Sequence, residues 1–340
     1  MLGLNNIMKN RIYIFNSGVL KRSENTLIFT NEKTGKKKVL PVEAIDEIIV
    51  FGELDINKRL LDFLNTKRIV IHFFNYYGYY IGTYYPREYL NSGLIILKQV
   101  EHYICDEKRL ELAKKFVKGS IDNFNKNIKY YNNRKDKNLY EIAEKTNKLK
   151  EEALKASNIN ELRAIEGNAR KLYYNSFNLI INSENFKMNK RDKRPPKNPI
   201  NALLSFGNSL MYSLSLSSIY HTNLDPRIGY LHETNTRSFT LNLDLAEIFK
   251  PVITDRIIFS LVNKRMIKVS DFESAIDYCI IKDKGRQIFV NELEDKLNST
   301  IKLKKLNKKV RYRRLIQLEC YKLYKHFLGE ETYKPFISEW

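Results

Sequence analysis

The spacing of apolar residues changes once along this chain, near position 95, and no other feature limits the fold as much. Before it, RIYIFNSGVLKRSENTLIFTNEKTGKKKVLPV (11–42) shows short alternating or apolar runs broken by Ser-Gly, Ser-Glu-Asn and Thr-Gly turns. EIIVF (47–51) and RIVIHFF (68–74) read as buried strands, with NKRLLDFLNT between them as a short helix. YYGYYIGTYYP (76–86) closes the region, punctuated by its glycines and Pro86. After it come long segments of helical period: 107–132, 136–156, 159–182, 199–220, 238–265, 270–281, 286–299 and 311–328. A chain of 340 residues can bury two cores. The expected fold class is therefore α+β: a small, β-rich, sandwich-like domain over 1–95, then a larger all-α domain over 96–340. Loops at 183–198 and 221–237 interrupt the helices, and loops of that length often carry function.

Composition then narrows the function. The chain holds 59 Lys and Arg against 39 Asp and Glu, a formal net charge of +20. Such an excess points to a polyanionic partner, most often nucleic acid. The charge is also concentrated: KLKKLNKKVRYRR (302–314) carries eight basic residues and no acid, and KMNKRDKRPPKN (187–198) six against one Asp. Lys190, Arg191, Arg194, Lys304, Lys305, Lys308, Lys309, Arg311 and Arg313 are the candidate DNA contacts. No apolar run is long enough to span a bilayer and no signal-like start is evident, so the expectation is a cytoplasmic protein with no membrane association. Three scattered cysteines (Cys105, Cys279, Cys320) form neither a disulfide framework nor a zinc cage. The absence of a G-x-x-x-x-G-K-[ST] loop argues against an ATPase.

One carboxylate stands out. Asn158 followed by Glu161 reads as a helix N-cap with its reciprocal acid. On the helix that follows, Leu162, Ile165, Ala169, Leu172, Tyr173, Phe177 and Ile180 form one apolar stripe, and Glu166 falls inside it. An ionised carboxylate there must be paired or bound to a metal. It pairs with one of the many Lys and Arg, or it belongs to a site. A second cluster lies in DPRIGYLHETNTRSFTLNLDLAEIFKP (225–251), where a Gly-containing turn delivers His232 and a helix starting near Ser238 carries Asp244 and Glu247 one turn apart. The other four histidines read as structural. Carboxylate oxygens with one imidazole suit Mg²⁺ or Mn²⁺ better than structural zinc. Such an ion beside a basic channel fits phosphodiester chemistry.

Taken in order, EGNAR with Glu166, RDKRPPKNPINALLSFGNSLMY (191–212), DPRIGYLHE with His232 and RSFTLNLDLAEIFKP resemble the CRISPR-associated adaptation integrase family. FNYYGYYIGTYYPRE (74–88) and RRLIQLECYKLYKHFLGEETYKPF (313–336) extend the likeness over nearly the whole chain. The resemblance implies a metal-dependent DNA endonuclease that joins DNA 3′-OH ends to CRISPR repeat DNA. It implies a homodimer that clamps a dimer of the small companion CRISPR adaptation protein. Residues 1–95, rich in strands and tyrosines (Tyr76, Tyr77, Tyr79, Tyr80, Tyr84, Tyr85), are the expected dimerisation domain. Carried over, the metal ligands fall on Glu166, His232 and Glu247. Many relatives have Asp at the third place. Asp244 becomes an auxiliary acid or a support for the ligands, with Asn201 and Arg237 as further supports. Gly167 and Ala169 would let neighbouring backbone approach Glu166. The competing readings are a general metal-dependent nuclease for branched DNA and a non-catalytic nucleic-acid-binding scaffold.

Overall fold

The structure is a computed structural model and describes residues 10–135, 139–234, 239–303 and 307–339. It divides into two compact units, residues 1–89 and 90–340, so the helical unit begins a few residues ahead of position 96.

The first unit holds two four-stranded sheets. One runs β1 (Asn10–Ile14), β5 (Ile45–Val50), β7 (Val70–Phe74), β8 (Tyr80–Tyr84). The other runs β4 (Lys37–Pro41), β3 (Thr26–Asn31), β2 (Gly18–Ser23), β6 (Leu54–Asp55). Leu20, Leu27, Ile48, Ile71 and, from α1 (Lys58–Lys67), Leu60 and Leu64 enter one shared core. Two sheets over one core make the unit sandwich-like, but β1, β5 and β7 run parallel. Parallel neighbours need a crossover, which is why a helix lies between the two apolar runs. Asn57 caps that helix by accepting from the Leu60 amide at 3.0 Å.

The second unit is built from α2 (Gly93–Ile104), α3 (Asp106–Lys135), α4 (Tyr140–Lys155), α5 (Ile159–Asn175), α6 (Phe177–Ile180), α7 (Pro199–Tyr220), α8 (Leu241–Phe249), α9 (Arg256–Asn263), α10 (Asp283–Asn298) and α11 (Tyr312–Phe327). Helix α7 is the hub: it is apolar on nearly every side and buried almost throughout. Gly207 lets it sit tightly, since a Cβ there would come 2.5 Å from Thr254 Cγ2 and 2.7 Å from Phe289. Helix α3 packs on α4, α5 and α8.

The unit is not all helical. Segment 270–281, expected as a helix, is a hairpin of β9 (Phe272–Ser274) and β10 (Cys279–Ile281) closed by Ala275 N–H to Tyr278 O at 2.8 Å. Its apolar run is too short to cover a helix face, and its β-branched end suits a strand. The basic run 302–314 likewise falls on a hairpin, β11 (Thr300–Leu303) with β12 (Lys308–Arg311), and on the start of α11. The long segment 238–265 is broken. Pro251, which lacks an amide hydrogen, starts a five-residue π turn, Pro251–Asp255, between α8 and α9. Helix α8 starts at Leu241, and Ser238 lies outside the described residues.

Candidate metal and phosphodiester site

Helix α5 starts as its sequence implies: Asn158 Oδ1 accepts from the Glu161 amide at 2.9 Å. Glu161 answers one residue earlier than expected, accepting from the Ser157 amide at 2.7 Å. One turn on, Glu166 is half-buried rather than enclosed. It is salt-bridged to Arg170, whose Nε lies 2.8 Å and Nη2 2.6 Å from Glu166 Oε1. The same Nη2 also holds Glu247 Oε2 on α8. Glu247 Oε1 in turn accepts from Lys250 Nζ at 2.5 Å, and Lys250 donates to Tyr212 Oη on α7 at 2.6 Å. One guanidinium thus joins the two carboxylates that the sequence places on separate helices.

His232 is held by Asp244. The buried Asp244 carboxylate accepts from three successive backbone amides, Tyr230 (2.6 Å), Leu231 (3.1 Å) and His232 (3.0 Å). Its Oδ1 also lies 2.7 Å from His232 Nδ1. Both Asp244 oxygens are therefore committed to fixing the turn and the ring. The arrangement leaves Nε2 as the imidazole nitrogen that can meet a ligand. Gly229 is needed here because a Cβ would fall 2.8 Å from Thr240.

The electrostatics follow from burial. Burial pushes the Glu247 carboxyl up, yet the charges of Arg170, Lys250 and His232, with the Lys250 hydrogen bond, hold it at about 2. Burial works against the Lys250 ammonium, but Glu247 and Tyr212 raise its pKa above the ordinary value. Asp255, at the end of the π turn, is dominated by burial, and its carboxyl rises to about 7 despite Arg170 and Lys250. Tyr173 donates a hydrogen bond toward it and is itself pushed well up by burial.

The 187–198 loop borders this cluster. It is built from inside: Asn178 brackets Met188 (2.8 and 2.9 Å), Asn201 Nδ2 donates to Lys190 O at 2.7 Å, and Cys279 N–H donates to Pro196 O at 2.7 Å. Arg191 reaches Asn201 Oδ1 and Ser205 Oγ, both at 3.1 Å, so it fastens the loop to α7. Lys193 lies close enough to the cluster that desolvation and the cations Arg191, Lys250 and Arg170 lower its pKa, while Glu247 raises it. Lys190 and Arg194 are exposed.

Of the remaining expected residues, Lys308 and Lys309 are exposed on β12, Arg311 is half-buried and Arg313 pairs with Glu294. Arg237, Lys304 and Lys305 lie outside the described residues. Gly167 does not admit neighbouring backbone: it is exposed and faces open space. Ala169 is buried on the helix face that packs. Arg170, Lys250, Lys193 and Asp255 were not among the sequence candidates. Two were accessible, since Glu166–Arg170 and Glu247–Lys250 stand four and three apart in the favourable acid-first order.

As a metal site the donor set suits a hard divalent cation: two carboxylates, and an imidazole whose other nitrogen is fixed by a carboxylate. Among the described residues, no group of three His, Cys, Asp or Glu stands close enough to hold an ion as placed. Arg170 stands between the carboxylates with a positive charge of its own.

The model of the family "CRISPR associated protein Cas1" matches residues 12–295. A CRISPR-associated endonuclease Cas1 of Thermodesulfovibrio yellowstonii is 56% identical over 333 residues, 98% of this chain and 100% of the relative. Among solved structures, a CAS1 protein from Thermotoga maritima is 47% identical with a TM-score of 0.86, covering 97% of this chain and 100% of that one. A casposase solved with its integration product has a TM-score of 0.84 at 21% identity, over 97% of this chain and 94% of that one. At that identity it shows a shared fold.

Proposed function

The chain belongs to the CRISPR associated protein Cas1 family, and we propose that Glu166, His232 and Glu247 are the ligands of the divalent cation with which it works on DNA. It is a CRISPR-associated endonuclease and integrase of spacer acquisition. The observation that supports this ligand set is the joining of Glu166 to Glu247 through Arg170, beside a histidine whose Nδ1 is locked by Asp244.

An ion bound there, Mg²⁺ or Mn²⁺, would polarise a phosphoryl oxygen and steady the charge of the displacement. The chain's own residues supply the rest. Asp244 orients His232 by engaging its Nδ1, which turns Nε2 to the ligand side. Lys250, held by Tyr212 and Glu247, and Lys193 on the basic loop offer positive charge to a phosphate. Asn201 and Arg191 hold that loop against α7, so its exposed Lys190 and Arg194 meet the duplex beyond the scissile bond. Arg237, Lys304, Lys305, Lys308, Lys309, Arg311 and Arg313 extend the contact with backbone phosphates.

The substrates of this reading are double-stranded DNA ending in a 3′-hydroxyl and CRISPR repeat DNA, within the cytoplasm. Insertion at the two ends of a repeat needs two active centres. We therefore assign a homodimer formed through residues 1–95, with a small companion adaptation protein between the centres and residues 96–340 carrying the chemistry. Tyr76, Tyr77 and Tyr80 are exposed at 61%, 52% and 42%, a residue type that suits an interface.

Replacing any one of Glu166, His232 or Glu247 by Ala abolishes Mn²⁺-supported cleavage and joining of a 3′-hydroxyl duplex, while the circular-dichroism spectrum stays native. Undiminished activity in Glu166→Ala would remove Glu166 from the site and favour a binding scaffold.

A further inference from the structure

The cation that the structure sets between Glu166 and Glu247 belongs to the protein itself. Arg170 reaches Glu166 with Nε and Nη2 and reaches Glu247 with the same Nη2. Its side chain is 15% exposed, and its guanidinium carbon lies 5.2 Å from the Phe124 ring centroid. A bidentate fork on two carboxylates is a strong, geometrically defined interaction. It engages one oxygen of each carboxylate, Glu166 Oε1 and Glu247 Oε2, on the two side chains proposed as ligands.

We infer that Arg170 is a resident competitor for the metal site: it holds Glu166 and Glu247 as an internal cation, and must release both for a divalent ion to bind. The inference rests on the metal reading above and names what sets the affinity of that site.

The charges show why release is required. Glu166 and Glu247 contribute −2, and Arg170 and Lys250 contribute +2, so the group is neutral as it stands. A divalent ion arriving beside an unmoved Arg170 would leave the group at +2 in a partly desolvated place, which is costly. A guanidinium that gives up its carboxylates needs somewhere to go. The structure provides the buried Asp255 carboxyl within electrostatic reach, and the Phe124 ring already beside the guanidinium. A DNA phosphate would offset the surplus charge in the same way. Metal and DNA are therefore expected to bind cooperatively, each weak without the other.

A merely structural Arg170 predicts that its loss weakens everything at the site. A competitor predicts the reverse for metal. Mn²⁺ is titrated calorimetrically into full-length protein freed of metal by chelation, in wild type, Arg170→Gln, Arg170→Lys and Glu166→Gln. Arg170→Gln binds Mn²⁺ about tenfold tighter than wild type, within the usual span of coupling between charged sites. Its melting temperature in chelator is below that of wild type, and added Mn²⁺ raises it by more. Arg170→Lys, which keeps the charge on a shorter side chain without the planar guanidinium, falls between the two and serves if the Gln variant does not fold. Equal or weaker Mn²⁺ binding in the folded variant, with wild-type binding lost in Glu166→Gln, overturns the competitor role and leaves the metal site standing. No Mn²⁺ uptake by wild type or Arg170→Gln overturns both.

Discussion

Each unit sets an acid among cations, Glu47 in the first and Glu247 in the second, and the two places are built to opposite ends. In the first unit, Glu47 on β5 takes Arg11 of β1 (Nε 2.8 Å, Nη2 2.6 Å) and His72 of β7 (Nε2 3.4 Å). All three are at most 4% exposed and sit on neighbouring strands of one sheet. Burial lowers the His72 pKa, its bond and charge contact with Glu47 raise it, and Nδ1 is satisfied by Thr83 Oγ1 at 2.7 Å. In the second unit, Glu166, Arg170 and His232 have side chains 20%, 15% and 25% exposed, and the anchors come from a helix, a loop and another helix. The first group is buried at every member and held by backbone that cannot shift without breaking the sheet. The second is partly exposed, with its members on α5, on α8 and on the loop that precedes α8. A sealed ionic group serves folding; a half-open one keeps its carboxylates available for exchange.

The largest expected effect tests the sealed side. Glu47→Ala leaves Arg11 buried without its carboxylate and costs about 3–5 kcal/mol, read as a shift of the denaturant midpoint at unchanged slope. Glu247→Ala costs less, because Arg170 is partly exposed and keeps Glu166, although the buried Lys250 loses its carboxylate. Equal losses would erase the distinction between the two groups.

A smaller effect sharpens the open side. Asp244→Asn retains the volume but cannot accept from three amides and the imidazole together. Mn²⁺ affinity and cleavage should each fall roughly 10–100-fold, the usual cost of removing the group that orients a ligating histidine. An unchanged affinity would mean that His232 does not ligate.

Next comes the pH dependence. The Asp255 carboxyl is raised from its ordinary value to about 7, so between roughly pH 4 and 7 the folded state holds a proton that the unfolded chain has lost. Stability from this group is present at low pH and is lost as pH rises through 7. Glu247, held at about 2, acts oppositely: its contribution is present above the ordinary carboxylate range and disappears as pH falls toward 2. Asp255→Asn should therefore flatten the decline in melting temperature between pH 5 and 7 and leave the acid limb in place. A decline of unchanged steepness assigns it to other groups.

Local pattern made much of this legible. The change of period near residue 95, the Asn158 cap and the apolar stripe of α5 were readable because each depends on residues within a few positions of one another. Glu166 attracted notice as an acid on an apolar stripe, and of the two answers considered for it the structure supplies the ion pair, with Arg170 one turn away. What escaped depended on distance or on breaks. The 270–281 hairpin looked helical because twelve residues fit more than one period. The π turn after Pro251, which brings Asp255 toward Arg170, follows from a lost amide hydrogen and from packing against Gly207. The sealed Arg11–Glu47–His72 group went unseen because its members lie on three strands whose register no local pattern reveals.

The smallest expected effect on stability addresses what the open side is open for. Gly167 directly follows Glu166 in the middle of α5, exposed, with nothing within 4 Å of where a Cβ would stand. A mid-helix glycine costs roughly 0.5–1 kcal/mol relative to alanine. Among the described residues nothing is gained for that cost, since no neighbour needs the space. Gly167→Ala should therefore raise stability by about that amount, measured by denaturant unfolding. If the surface beside Glu166 is where DNA lies, the added methyl also weakens duplex binding or cleavage, so stability and activity move in opposite directions. Should both rise or activity stay level, the DNA path runs elsewhere, and the open side of the group leads only to water.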